Sequence, residues 1–113
     1  MPVHSSQTVV EKVLSDMKDA IRNGRFYFVE RTKNMNTLAE LGILIHDVWD
    51  ELLELDYTNY ISGPETDRDD PFSDPLWIFK RTICDHMIYI KYKVEYQDDG
   101  TVKVISFHID ETA

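Results

Sequence analysis

The chain has 113 residues, of which 42% are hydrophobic and 12% aromatic, which predicts one folded domain and argues against disorder of the whole chain. Its single cysteine, Cys84, excludes an internal disulfide and favours a reducing compartment. The formal net charge of −9 argues against a broad basic surface that binds nucleic acid without selectivity, but it permits a small basic site.

Neither a membrane segment nor a metal site is expected. No apolar run approaches the length that spans a bilayer, and residues 1–8 are polar, without a signal-like apolar region. His4, His46 and His86 have no partner at ligand spacing, so we do not predict a zinc site. The expectation is a cytoplasmic protein without a cofactor.

The N-terminal half predicts helices. Apolar residues recur at helical spacing over residues 6–23, which indicates an amphipathic helix. A short strand is predicted over 25–29, where aromatic and β-branched residues cluster. A short helix over 34–41 should end at Gly42, and a further amphipathic helix is predicted over about 45–55.

The C-terminal half predicts an antiparallel sheet over residues 76–109. A polar loop, residues 63–75, precedes it, and its three prolines and five acidic residues exclude a helix or a central strand. Three strand-like segments follow the loop: 76–83, 87–96 and 101–109. We therefore predict a single α+β domain in which the helical half, about 6–56, packs on the antiparallel sheet.

The Asp99-Gly100 pair predicts a two-residue turn between the last two strands, with Asp98 opposite Thr101. On one face the predicted pairs are Val94–Ile105, Tyr92–Phe107 and Ile90–Ile109. On the other face they are Lys93–Ser106, Lys91–His108 and Tyr89–Asp110. This register places the apolar side chains on one face of the hairpin and the polar ones on the other. A weaker turn signal at Cys84-Asp85 places Lys80 opposite Tyr89 on the polar face.

The predicted polar face carries groups that can move protons and bind phosphate. It combines a phenol, an imidazole and three ammonium groups: Tyr89, His108, Lys80, Lys91 and Lys93. Neighbouring cations would stabilise a phenolate and depress the pKa of an imidazole, so the two rings could exchange protons near neutral pH. The amines could hold a phosphate and the charge that develops on it. The alternative, from the pattern alone, is an ordinary solvated sheet face.

The same residues resemble a toxin family, that of the motility quorum-sensing regulator (MqsR). The stretch Ile88-Tyr89-Ile90-Lys91, then a hairpin and Val104-Ile105-Ser106-Phe107-His108, resembles the last two strands of that family. Segments 41–55, Tyr60, 62–65 and 67–69 resemble its Gram-positive branch. The similarity covers roughly residues 18 to 111.

The resemblance implies a RelE-like fold, metal-independent cleavage of single-stranded mRNA, and an antitoxin partner from the same operon. It implies a catalytic role for Tyr89 and His108, and we add Lys91 as the third catalytic candidate. The RNA-binding candidates are Lys80, Lys93 and Ser106. Two family positions differ here: a glutamine corresponds to Ile78, and a lysine falls near Ser62.

The leading hypothesis is therefore the endoribonuclease toxin of a type II toxin–antitoxin system. The alternative is a non-catalytic interaction module with the same fold, which binds a basic partner through its acidic surface. The loss of the cationic group at Ser62 and of the amide at Ile78 is the sequence feature that separates the two hypotheses. The sequence leaves open which of Tyr89 and His108 is the acid and which is the base.

Overall fold

The structure, a computed structural model, describes residues 4–111, in which three helices pack on a five-stranded mixed sheet. The elements in chain order are α1 (Gln7–Arg22), β1 (Phe26–Phe28), α2 (Thr32–Leu41), α3 (Ile45–Leu53), β2 (Tyr60–Glu65), β3 (Leu76–Ile83), β4 (His86–Glu95) and β5 (Thr101–Ile109). The α+β fold that the sequence predicts is confirmed. No helix within these residues is long and apolar enough to cross a membrane.

Local signals mark the start of α1 and the end of α2, whereas α2 begins two residues before the predicted start at residue 34. Ser6 precedes α1, and its side-chain oxygen accepts a hydrogen bond from the backbone N–H of Val9. α2 ends at Gly42, which takes the left-handed conformation (φ +73°) that a residue with a Cβ rarely adopts. α3 ends two residues before the predicted boundary, although Leu55 is still fully buried. Apolar faces of all three helices join one core with the sheet.

The sheet is larger than the sequence predicts. Its strand order is β1-β5-β4-β3-β2, and β1 pairs with β5 in parallel, whereas the other pairs are antiparallel. The predicted loop over 63–75 is wrong at its start, because residues 63–65 belong to β2. β2 is an edge strand, so Pro64 can lie in it without removing a hydrogen bond from the middle of the sheet.

The loop between β4 and β5 is longer than the two-residue turn predicted at Asp99-Gly100. Both residues have positive φ (+57° and +75°), as that turn requires. The last ladder pair is nevertheless Glu95–Thr101, so residues 96–100 form the loop. Tyr96 leaves the ladder because its backbone N–H donates to Asp74 Oδ2 at 3.1 Å.

The pairing of β4 with β5 changes accordingly, and all six predicted pairs are wrong. The observed pairs are Val94–Val102, Lys93–Lys103, Tyr92–Val104, Lys91–Ser106, Ile90–Phe107 and Tyr89–His108. The register shifts between Lys91 and Tyr92, where Ile105 is the extra residue of a β-bulge in β5. Ile105 therefore lies beside Lys91 instead of in the core, where it was predicted. The turn at Cys84-Asp85 is confirmed, since Lys80 pairs with Tyr89.

The side-chain amide of Asn34 holds β5 at this bulge. Its Nδ2 donates to the carbonyl oxygens of Val29 (2.9 Å) and Ile105 (3.0 Å), and its Oδ1 accepts from the N–H of Phe107 (3.0 Å). Asn34 is completely buried, so no water can replace these bonds. The amide thus continues the edge of the sheet beyond the end of β1 and fixes β5 on both sides of Ser106.

We predict that Asn34→Ala lowers the free energy of unfolding by about 3 kcal/mol, because it removes three hydrogen bonds of a fully buried side chain and leaves the buried N–H of Phe107 without its partner. Asn36→Ala is the matched control on the same helix: Asn36 is exposed, so its change should be about 0.5 kcal/mol or less. Urea denaturation monitored by circular dichroism gives both values. Equal values for the two variants would contradict the role of Asn34.

Candidate functional site

The face of the sheet opposite the main core carries the candidate residues in two neighbouring rows. The first row, across β3, β4 and β5, is Lys80, Tyr89 and His108. The second row, across β2 to β5, is Ser62, Ile78, Lys91 and Ser106. We call this surface the polar face. It brings together five of the six predicted site residues, and Lys93 lies farther along β4.

Tyr89 and His108 are direct cross-strand partners and their rings stack. The ring centroids are 5.2 Å apart and the planes are inclined by 18°. His108 Nδ1 lies 3.1 Å from the carbonyl oxygen of Ile109. A carbonyl oxygen only accepts, so this hydrogen bond requires the proton on Nδ1 and leaves Nε2 of the neutral ring as a proton acceptor.

The prediction that nearby cations stabilise a Tyr89 phenolate is wrong. Burial raises the pKa of Tyr89 above its ordinary value of 10.0, and the carboxylates of Glu65 and Asp110 raise it further. The cation of the same row does not reverse this effect, because Lys80 Nζ lies 2.6 Å from Asp110 Oδ2. The phenol of Tyr89 is therefore protonated at neutral pH and can act as a proton donor.

The three predicted ammonium groups differ in their availability. Lys93 is only 2% exposed, and its Nζ contacts Asp67 Oδ2 (3.0 Å) and Ser73 Oγ (2.9 Å). Lys80 is paired with Asp110. For Lys91, no carboxylate oxygen of residues 4–111 lies within 4.0 Å of Nζ. Among the residues that the structure describes, Lys91 is thus the candidate lysine without an ion pair.

The other residues of the second row offer few groups that could bind or react with a substrate. Ser62 is buried and its hydroxyl donates to Glu65 Oε2 at 2.5 Å. Ile78, between Ser62 and Lys91, is 5% exposed and offers only an apolar surface. Ser106, the cross-strand partner of Lys91, is also buried. Lys91 is therefore the ionisable group of this row, adjacent to the Tyr89–His108 pair.

Two cavities adjoin the site and involve residues that the sequence pattern did not single out. His108 lines a cavity of about 360 Å³ together with Asn36, Glu40 and His86. Lys91 lines another of about 380 Å³, which Arg31 also borders. No periodicity or turn signal connects these residues with the last strands, because the packing of α2 and of the β3–β4 turn brings them there.

No model of a known protein family matches this chain, and no curated protein matches it. The resemblance to the MqsR toxins therefore stays a prediction. Within residues 4–111 there is no group of three or more His, Cys, Asp or Glu side chains that could hold a metal ion.

We predict that Glu65→Gln lowers the pKa of Tyr89, because the change removes one of the negative charges that oppose ionisation. NMR titration of the tyrosine rings, with Tyr89→Phe to assign the resonance, measures this pKa. Glu95→Gln is the control, since Glu95 does not contribute to the shift at Tyr89. A wild-type pKa at or below 10.0 would contradict the environment described for Tyr89.

Proposed function

We propose that this protein is the endoribonuclease toxin of a type II toxin–antitoxin system, that it cleaves single-stranded mRNA without a metal ion, and that it acts in the cytoplasm. The observation that carries this proposal is the stacked Tyr89–His108 pair with Lys91 in the next row. A proton donor, a proton acceptor and a cation are the three groups that cleavage of a ribose–phosphate backbone requires.

The protonation states suggest the role of each group. His108 Nε2 takes the proton from a ribose 2′-hydroxyl, and the 2′-oxygen forms a bond to the adjacent phosphorus. The bond from phosphorus to the 5′-oxygen breaks, and the Tyr89 phenol gives its proton to that departing oxygen. Lys91 stabilises the extra negative charge on the phosphate in the transition state. The products are a 2′,3′-cyclic phosphate and a 5′-hydroxyl.

Single-stranded RNA suits this site better than a duplex. Bases that are not paired can be splayed away from the backbone and bound in adjacent pockets. The cavity beside His108 offers an amide, a carboxylate and an imidazole, from Asn36, Glu40 and His86, as hydrogen-bonding groups. A cognate antitoxin is the protein partner that this function requires.

The second candidate is a non-catalytic module with the same fold that binds a basic partner. Two observations favour it: Ile78 is apolar at the centre of the polar face, and Lys80 and Lys93 are paired with carboxylates. Such a module needs neither the phenol nor the imidazole. Loss of function on changing either ring therefore separates the two proposals.

We predict that His108→Ala and Tyr89→Phe each reduce cleavage of a single-stranded oligoribonucleotide by about 10²- to 10⁴-fold, because each removes one proton-transfer group. The assay uses the purified protein with a chelator present and identifies the cyclic phosphate by mass spectrometry. Induced expression in a bacterial host should arrest growth for the wild type and not for these variants.

The matched controls are His46→Ala and Tyr96→Phe. His46 has an exposed side chain on α3, and Tyr96 lies in the β4–β5 loop, so both should retain wild-type cleavage and toxicity. Harmless expression of the wild type and of all variants, with no RNA cleavage, would reject the nuclease in favour of the binding module.

We predict that the loss of cleavage caused by Tyr89 ionisation at alkaline pH has its midpoint above pH 10. The acid must be protonated to act, so its contribution is lost only as pH rises through its pKa, which lies above the ordinary 10.0. Initial rates, corrected for hydrolysis of the RNA alone, give the profile. An alkaline loss of activity with its midpoint below pH 10 that disappears in Tyr89→Phe would contradict the assignment of Tyr89 as an acid with a raised pKa.

A further inference from the structure

The acidic loop of residues 66–75 folds back over the polar face and contacts Lys93. The Asp67 and Ser73 side chains both meet Lys93 Nζ, at 3.0 and 2.9 Å. A lysine on the outer face of a sheet is normally solvated, but the Lys93 side chain is only 3% exposed. Its burial is tolerated because a carboxylate and a hydroxyl replace the lost water.

Further hydrogen bonds hold the loop in this position. Asp67 Oδ1 accepts from the backbone N–H of Asp69 at 3.0 Å, which fixes the carboxylate whose other oxygen meets Lys93. Burial alone would raise the pKa of Asp67, but the hydrogen bond from Lys93 and those from the backbone outweigh it, and the pKa is lowered. At the end of the loop, Asp74 Oδ2 accepts from the N–H of Tyr96.

The loop also closes a cavity of about 340 Å³ over β4 and β5. Its cationic lining residues are Arg31, Lys93 and Lys103. Its acidic lining residues are Asp67, Asp69, Asp70 and Glu95. Three positive charges thus share the cavity with four negative ones, three of them from the loop, which weaken the attraction of the cations for a phosphate.

We propose that the loop of residues 66–75 is an electrostatic gate on the RNA-binding face, in which the Asp67 carboxylate occupies the place on Lys93 that a phosphodiester of single-stranded RNA takes when the gate opens. The inference rests on the proposed function and names how the same site is regulated. Lys91 and Lys93 lie about 7 Å apart along β4, comparable to the spacing of neighbouring phosphates in an extended strand.

Opening this gate disturbs little of the core. Phe72 at the tip of the loop is 99% exposed, so the only large apolar side chain in residues 66–75 leaves no buried site when the loop moves. The attachments to Lys93 and Tyr96 are polar contacts that phosphate and water can replace. Segments held in this way open at low free-energy cost compared with the core strands.

The test measures RNA affinity in the absence of cleavage. All proteins carry His108→Ala, and fluorescence polarisation gives the Kd for a labelled single-stranded oligoribonucleotide at low salt. Asp67→Asn removes the charge that competes for Lys93 and keeps the shape of the side chain, so affinity should rise about tenfold. Asp98→Asn makes the same change in net charge in the exposed β4–β5 loop and should alter affinity by less than about twofold.

A second pair of variants tests the contact itself. Lys93→Met alone, with Asp67 intact, should change the affinity for RNA little. Combined with Asp67→Asn, it should abolish the rise in affinity that Asp67→Asn causes by itself. If Asp67→Asn does not fold, as judged by circular dichroism, Ser73→Ala replaces it, with a smaller gain in the same direction expected.

Each of the following outcomes would overturn the proposal that the loop is a gate. Equal gains from Asp67→Asn and Asp98→Asn would mean a general effect of net charge, and no gain would mean that the loop does not compete with RNA. A gain that persists with Lys93→Met would remove Lys93 from the phosphate contact. The nuclease proposal fails separately: the affinity pattern would hold while protein with intact His108 cleaves no RNA.

Discussion

Two hydrogen bonds of the buried Asn34 amide hold β5 where its register changes, and a third ties the amide to the carbonyl of Val29, just after β1. The bulge at Ile105 inserts one residue between two well-paired stretches, so the alignment beyond it differs from the alignment near the loop. The Tyr89–His108 pair lies beyond the bulge, and its geometry depends on that shift. An amide on α2 therefore determines, through the backbone of β5, which side chains meet on the opposite strand.

The distribution of charge over the polar face follows from the same ladder. Lys93 is paired with the acidic loop, whereas Lys91, whose cavity is also lined by residues 66–69 of that loop, lies next to the Tyr89–His108 pair. Asp67 offsets the first lysine and Asp110 offsets Lys80, so the cations that the strands present are largely neutralised within the protein. The net negative charge of the chain and a local cationic site are thus compatible, because these acidic groups are paired with lysines.

The Tyr89 phenol and the neutral His108 imidazole offer opposite groups, a donor and an acceptor, because their surroundings differ. Carboxylates and partial burial keep the Tyr89 phenol protonated. The carbonyl of Ile109 selects the His108 tautomer that leaves Nε2 as an acceptor. A donor and an acceptor are thus held in contact. This complementarity is the reason that we propose the nuclease ahead of a binding surface, for which the protonation of either ring is irrelevant.

The sequence by itself determined the α+β class, the limits of α1 and of the strands β3 to β5 within one residue, and the C-terminal end of α2. It also determined the alternation that directs Tyr89 and His108 away from the core. These features depend on capping, glycine conformation and side-chain period, which are properties of neighbouring residues. Only the tertiary structure decided which residues pair across β4 and β5, because Asn34 and Asp74 act on those strands from distant parts of the chain. It also decided which lysines are neutralised, since an ion pair depends on where a loop folds and not on the residues beside the lysine.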